Sequence, residues 1–122
     1  MELITYNATS DIRTNIFCNT EYSHYKELTK DHNQIIISCK TIFKKYPEIF
    51  KGTKYVIIND IEAAKSLKTV EHIVKKLIEL KADRNTYLIG IGGGIVCDLT
   101  GFVAKIFMRG AKLGLIPTTL LA

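Results

Sequence analysis

Cysteine is scarce in this 122-residue chain, and its placement offers no crosslink. Cys18, Cys39 and Cys97 are odd in number and far apart, and none forms a CxxC pair. That usage excludes a disulfide framework and a zinc ribbon, and it fits reduced thiols in the cytoplasm. Histidine is equally sparse. His24, His32 and His72 have no metal-ligand spacing and read as surface residues. No basic-then-apolar leader opens the chain, so secretion is not expected. No long apolar run is present either. The most apolar window, Tyr87 to Met108, is interrupted by Asp98, Lys105 and five glycines, which argues against a membrane span. Long runs of one charge are missing too. Seventeen Lys and Arg against twelve Asp and Glu give a net charge of +5. The basic residues are scattered from Arg13 to Lys112, in nothing longer than the pairs Lys44-Lys45 and Lys75-Lys76. A solvated surface with a basic bias, or a pocket for a phosphate or an acidic substrate, explains this better than a nucleic-acid interface. Repeats, linkers and low-complexity tracts are absent.

What is present is one domain's worth of chain, 47% hydrophobic and 24% charged, enough to bury a core. Two short apolar runs, around Leu3–Tyr6 and Ile16–Cys18, suit a hairpin or paired edge strands. Glu21 to Lys30 reads as helix with Tyr22, Tyr25 and Leu28 on one face. Gln34–Ser38 and Tyr55–Ile58 are unbroken aliphatic runs of the kind found in strands covered on both faces. Lys40 to Tyr46 forms a short helix stopped by Pro47. From Ser66 to Lys81, Leu67, Val70, Val74, Leu77 and Leu80 step by three or four and predict a long amphipathic helix, with Lys75, Lys76 and Lys81 toward its C-terminal end. Ala82 to Asn85 is a turn. A strand at Tyr87–Ile91, a glycine turn, an apolar helix and a second strand at Leu113–Ile116 follow. This alternation predicts an α/β fold, Rossmann-like, with a mostly parallel sheet flanked by helices. Right-handed crossovers place the turns after Ile37, Ile58, Ile91 and Ile116 on one edge, where ligands bind in such sheets.

The glycine turn does not fit GxGxxG. Counted from Gly90 the third glycine falls on Ile95, and counted from Gly92 it falls on Cys97. Gly92, Gly93 and Gly94 instead permit close backbone approach and positive φ. The helix beginning near Ile95 aims free N–H groups at that turn, which suits a pyrophosphate or simply a tight connection. Asp98, in the first helical turn, either stabilises the helix N-terminus or accepts hydrogen bonds from ligand hydroxyls. Arg109-Gly110 reads as a helix-end cation with a glycine cap, or as a guanidinium that binds phosphate or carboxylate. Thr118 and Thr119 after Pro117 can hold a ribose or a phosphate, or cap a following helix.

GGGIVCDLTGFVAKIFMRGAKLGLIPTTLLA closely resembles the core of 3-dehydroquinate synthases, whose pattern runs GGGV-x-GD-L-x-GF-x-A, then RG, then PTTLLA. Glu62-Ala-Ala-Lys65-Ser66 resembles that family's E-x-x-K-S/T segment, also just before a long helix. The resemblance covers about Tyr55 to Ala122. It implies an N-terminal Rossmann-like domain that binds NAD and a mostly helical C-terminal domain that binds a divalent metal, zinc or cobalt. It implies a reaction in which 3-deoxy-D-arabino-heptulosonate 7-phosphate becomes 3-dehydroquinate plus phosphate, in the shikimate route to aromatic amino acids, with NAD regenerated each turnover. Carried over by position, the resemblance makes Glu62, Lys65, Gly93, Gly94, Asp98, Thr118, Thr119 and Leu121 cofactor contacts. It makes Arg109 a substrate-phosphate contact, acting across a dimer interface.

Two positions depart from the pattern. Cys39 stands where many relatives place an Asp or Asn for the adenosine ribose, and Cys97 replaces the fourth glycine, a change expected to alter packing only. The chain ends inside the family's motif at Leu120-Leu121-Ala122. Residues 1–122 are therefore expected to be the NAD-binding part, without the metal-binding domain, with no catalytic or metal-ligating residue of their own and no activity alone. The full-length enzyme is expected to be a cytoplasmic homodimer acting on a phosphorylated sugar acid, with no nucleic-acid or membrane partner. The competing readings are another sugar-phosphate cyclase making an inosose or a valiolone, a metal-dependent polyol dehydrogenase, and a non-catalytic nucleotide-binding module.

Overall fold

The computed structural model describes residues 2–9 and 12–120. Four parallel strands, β3 (Gln34–Cys39), β4 (Lys54–Ile58), β5 (Tyr87–Gly92) and β6 (Lys112–Pro117), form one sheet in the order β4-β3-β5-β6. The first strand therefore lies inside the sheet. The order reverses between β3 and β5, which opens a crevice at their C-terminal ends. Upstream, β1 (Glu2–Thr9) and β2 (Ile12–Cys18) pair antiparallel as a separate two-stranded sheet. The hairpin reading of the N-terminal runs is thus correct. Leu3, Ile4, Tyr6 and Ile16 on this hairpin are exposed.

The unbroken isoleucine run behaves as its composition dictates. Ile35, Ile36 and Ile37 are all at 0% exposure, because β3 is central and helices cover both faces. Burying each side chain contributes about 2 kcal/mol before entropy is counted. β4 lies at an edge, so Val56 and Ile58 are buried while Tyr55 is exposed. Tyr55 instead packs with Phe43 and Phe50, at ring separations of 5.3 and 5.4 Å.

The helices are α1 (Tyr25–Leu28), α2 (Lys40–Lys45), α3 (Leu67–Glu79) and α4 (Gly94–Ile106). Three sequence expectations need correction. The polar segment before β3 is a 3-10 turn at Tyr22–His24 followed by a single α turn, and only Tyr25 of its three apolar residues is buried. On α3 the buried stripe is Val70, Ile73 and Leu77, while Leu67 is 78% exposed. The stripe continues through Ile73, one step from Val70 at the same spacing, while Leu67 stands beside the groove between α3 and α4. His24 and His32 are half-buried rather than superficial, and only His72 is exposed. His24 packs its ring edge on Phe17, and His32 does the same on Tyr87.

Both ends of α3 are satisfied by side chains. The Ser66 hydroxyl accepts from the Thr69 amide at 3.2 Å, a cap contributing about 1 kcal/mol. At the other end the Lys54 ammonium donates to the Leu80 carbonyl at 3.1 Å. Helix α4 is apolar over most of its circumference and buries Val96, Leu99, Val103 and Ala104. It lies close on the sheet because Gly90 has no side chain. A Cβ there would stand 2.8 Å from Thr100 Oγ1, whose hydroxyl donates to the Val96 carbonyl.

Candidate functional site

The C-terminal end of β5 feeds directly into α4 through Gly92, Gly93 and Gly94. The expected positive φ is not what these glycines provide. Gly93, the residue before the helix, has φ −82°, and among the described residues the glycines with positive φ are Gly52 and Gly110. Gly92 and Gly93 are needed for space instead. A Cβ on Gly92 would come within 2.7 Å of Val96 Cγ2, and one on Gly93 within 3.2 Å of Thr119 Cγ2. At Gly94 a Cβ would meet no atom within 4 Å, so that position faces open space. No side chain caps the start of α4, which leaves its first-turn amides directed at that opening. A 13-residue helix without a capping side chain, facing a gap lined by glycine backbone, fits an anionic group such as a pyrophosphate.

The segment after β6 joins the same turn. The Thr118 amide donates to the Gly92 carbonyl at 2.8 Å, and the Thr119 side chain is the nearest neighbour of Gly93. Both threonines are exposed at the mouth. Leu121 lies outside the described residues.

Glu62, Lys65 and Asp98, separated by up to 36 positions in sequence, meet on the other side. A 3-10 turn at Glu62–Ala64 follows β4 and delivers Lys65 just before the Ser66 cap of α3. The Lys65 ammonium lies 2.9 Å from Asp98 Oδ2 and 3.7 Å from Glu62 Oε1. The Asp98 carboxylate, first by hydrogen bonding and then by charge, holds the Lys65 pKa above its ordinary value, and Glu62 adds to this. The placement of Asp98 is a second correction. Helix α4 starts at Gly94, so Asp98 is in its second turn, about 6 Å along the axis from the open glycine. Its partner is the lysine of the neighbouring segment rather than the helix dipole. Lys65 has three donors and two carboxylates beside it, and the group stays partly open to solvent. Lys65 and Asp98 also line a groove of about 330 Å³ between α3 and α4, with Leu67, Leu99 and Phe102 on its apolar side.

Arg109 does not join this site. It lies past the end of α4, in the short 3-10 turn Phe107–Arg109 that leads into β6. The whole length of β6 separates it from the edge that carries Thr118, about 20 Å. Arg109 is exposed, makes no ion pair among the described residues, and has φ 67°. Gly110, at φ 112°, is the one position here where glycine is conformationally required.

Two departures noted in the sequence resolve into packing. Cys97 is buried, its thiol 3.7 Å from the Gly92 carbonyl, and burial followed by the Asp98 charge pushes its pKa up. Cys39 is buried at the start of α2 and caps nothing. Sequence reasoning missed three polar contributors at the same edge. The buried Ser38 hydroxyl donates to the Ile91 carbonyl at 2.6 Å and ties β3 to β5 beside the crevice. The Thr41 hydroxyl donates to the Asp60 carboxylate, linking α2 to the loop after β4. A lone serine in an isoleucine run and an Asp two residues before Glu62 were the available signals. Among the described residues no group of three or more His, Cys, Asp or Glu is placed to hold a metal ion. No helix among them is long and apolar enough to cross a membrane.

The sequence profile described as 3-dehydroquinate synthase N-terminal matches residues 55–122, which contain the glycine turn, Lys65, Asp98 and Thr118. The chain belongs to the 3-dehydroquinate synthase family. It is 51% identical over 67 residues to the 3-dehydroquinate synthase of Pyrococcus furiosus, covering 55% of this chain and 20% of that protein. It is 40% identical over 108 residues to the 3-dehydroquinate synthase of Thermoplasma volcanium, covering 82% and 30%. The second match brings part of the segment before residue 55 into the family. Among solved structures, 2-deoxy-scyllo-inosose synthase in complex with carbaglucose-6-phosphate, NAD+ and Co2+ superposes with a TM-score of 0.76 at 25% identity, over 96% of this chain and 35% of that one. The chain thus spans between a fifth and a third of the length of these 3-dehydroquinate synthases.

Proposed function

We propose that this chain forms the NAD-binding part of a 3-dehydroquinate synthase, which converts 3-deoxy-D-arabino-heptulosonate 7-phosphate to 3-dehydroquinate and phosphate with NAD and a divalent metal. The observation that carries the reading is the uncapped start of α4 at Gly93-Gly94, closed on one side by the Thr118–Gly92 link and flanked by Lys65 and Asp98. The first-turn amides and Thr119 hold the pyrophosphate. Glu62 and Asp98 accept from ribose hydroxyls and keep Lys65 charged and oriented. When bound, NAD supplies a hydride acceptor and donor. This chain's residues would fix its position through the backbone of the turn, where Gly92 and Gly93 leave no room for a Cβ and Gly94 faces open space.

Arg109 fits the role of substrate-phosphate ligand only at another copy's site, because it stands at the opposite edge of its own sheet. That geometry supports a homodimer as the working form. The inosose synthase reading is the second choice. The identities of 51% and 40% to proteins named 3-dehydroquinate synthase, against 25% to the inosose synthase, favour the first. The deciding experiment is calorimetric titration of NAD into the chain, paired with a phosphate-release assay on the heptulosonate substrate with NAD and zinc. Saturable NAD binding with no phosphate release is expected. Failure to bind NAD refutes the site, and turnover by the chain alone refutes its assignment as a part.

A further inference from the structure

The connection from α4 to β6 runs against the residue preferences of its own turn. Phe107, Met108, Arg109 and Gly110 form a four-residue turn, closed by the Gly110 amide donating to the Phe107 carbonyl at 2.8 Å. Its two central residues, Met108 and Arg109, have φ 45° and 67°, and Gly110 follows at φ 112°. Positive φ at both central positions is the pattern of a type I′ turn. Asn, Asp and Gly dominate such turns, because any other side chain there brings its Cβ against a neighbouring carbonyl oxygen. A methionine followed by an arginine is a strained choice.

Packing of the two side chains does not offset that strain. Met108 is 47% exposed, and Arg109 is exposed as well. The turn is held by its two ends instead. Phe107 is buried, the Ala111 amide donates to the Ala104 carbonyl at 2.7 Å, and Lys112 is in register with Tyr87 in the sheet. Strained backbone fixed by a rigid surround collects where a group must be presented in one direction. The turn carries one charged group, the Arg109 guanidinium, which makes no ion pair among the described residues. The nearby Lys112 ammonium is engaged, 2.7 Å from His32 Nε2.

We propose that Met108 is a positioning residue. Its left-handed backbone fixes the direction in which Arg109 leaves the sheet edge, so the guanidinium meets a phosphate at another copy's site without first having to be ordered. The inference rests on the reading of Arg109 as a phosphate ligand given above. The test is an NMR titration of inorganic phosphate into the chain, followed at the Arg109 amide and Nε–H, with thermal unfolding alongside. It compares the wild type with Met108→Asn and Met108→Gly. Asparagine tolerates the left-handed region, so Met108→Asn should favour folding by about threefold or more and keep the wild-type phosphate response. Met108→Gly should fold about as well as the wild type. Its Arg109 signals should narrow with faster motion, and its phosphate affinity should fall about two- to fivefold, the scale of the freedom that a glycine regains. A loss of stability in Met108→Asn overturns this inference and leaves the reading of Arg109 standing. So does a Met108→Gly variant with unchanged Arg109 signals and phosphate response. Wild-type Arg109 signals that phosphate does not move overturn both.

Discussion

The Lys65 ammonium stands 2.9 Å from Asp98 Oδ2, joining the segment that enters α3 to the second turn of α4. Both side chains remain partly open to solvent, so the pair adds little to folding stability and its consequence is for binding. The Lys65→Gln variant is expected to melt at nearly the wild-type temperature but to bind NAD about tenfold more weakly, the scale of one charge-assisted hydrogen bond. The sign of the pH dependence follows. The Lys65 pKa is raised, so the pair is fully present below the ordinary lysine value of 10.5 and fades only as pH climbs through the elevated one. Titrations across the neutral range should therefore show no loss of affinity traceable to Lys65.

The glycine triplet predicts two opposite phenotypes. In Gly92→Ala the new methyl meets Val96 at 2.7 Å, and thermal unfolding should show a loss of about 1–3 kcal/mol. In Gly94→Ala the methyl enters open space, so stability should be kept or slightly raised while NAD binding is lost. Equal effects of the two variants on binding and stability would mean that Gly94 faces no ligand.

The corrected face of α3 is checked by Ile73→Ala and Leu67→Ala. Ile73 is at 0% exposure and its truncation should cost about 2–5 kcal/mol in denaturant unfolding. Leu67 is 78% exposed and its truncation should stay within about 0.5 kcal/mol.

Thiol accessibility offers a check that needs no variant. Cys39 and Cys97 are buried, and the raised Cys97 pKa keeps that thiol protonated. Native protein treated with a disulfide reagent should react first at the partly exposed Cys18, with Cys39 and Cys97 following only on unfolding.

Much of this was legible in the sequence, for identifiable reasons. The Ile35–Ile37 run and the spacing of Val70 and Leu77 report burial directly, because side chains covered on both faces or on one stripe must be apolar there. The Glu62-Lys65 and Gly92–Asp98 motifs were readable through their resemblance to the 3-dehydroquinate synthase pattern, and at Gly92 the reason is physical, since a Cβ there would meet Val96 at 2.7 Å. What could not be read were relationships set by tertiary geometry. Asp98 reads in the sequence either as a helix-end anion or as an acceptor for ligand hydroxyls, and only the fold places Lys65 beside it. The strand direction puts Arg109 at the end of β6 away from Thr118, a separation that the sequence alone does not give. The Thr41–Asp60 link joins residues 19 apart whose local sequences carry no common signature.

The central claim is that the first turn of α4 and the Thr118 link form a pyrophosphate seat. Its most direct test is an amide-resolved NMR titration of the chain with NAD. The account predicts that the largest shifts fall on Gly93, Gly94, Ile95 and Thr118, with Arg109 unmoved. Shifts confined to other residues, or none at saturating NAD, would contradict it.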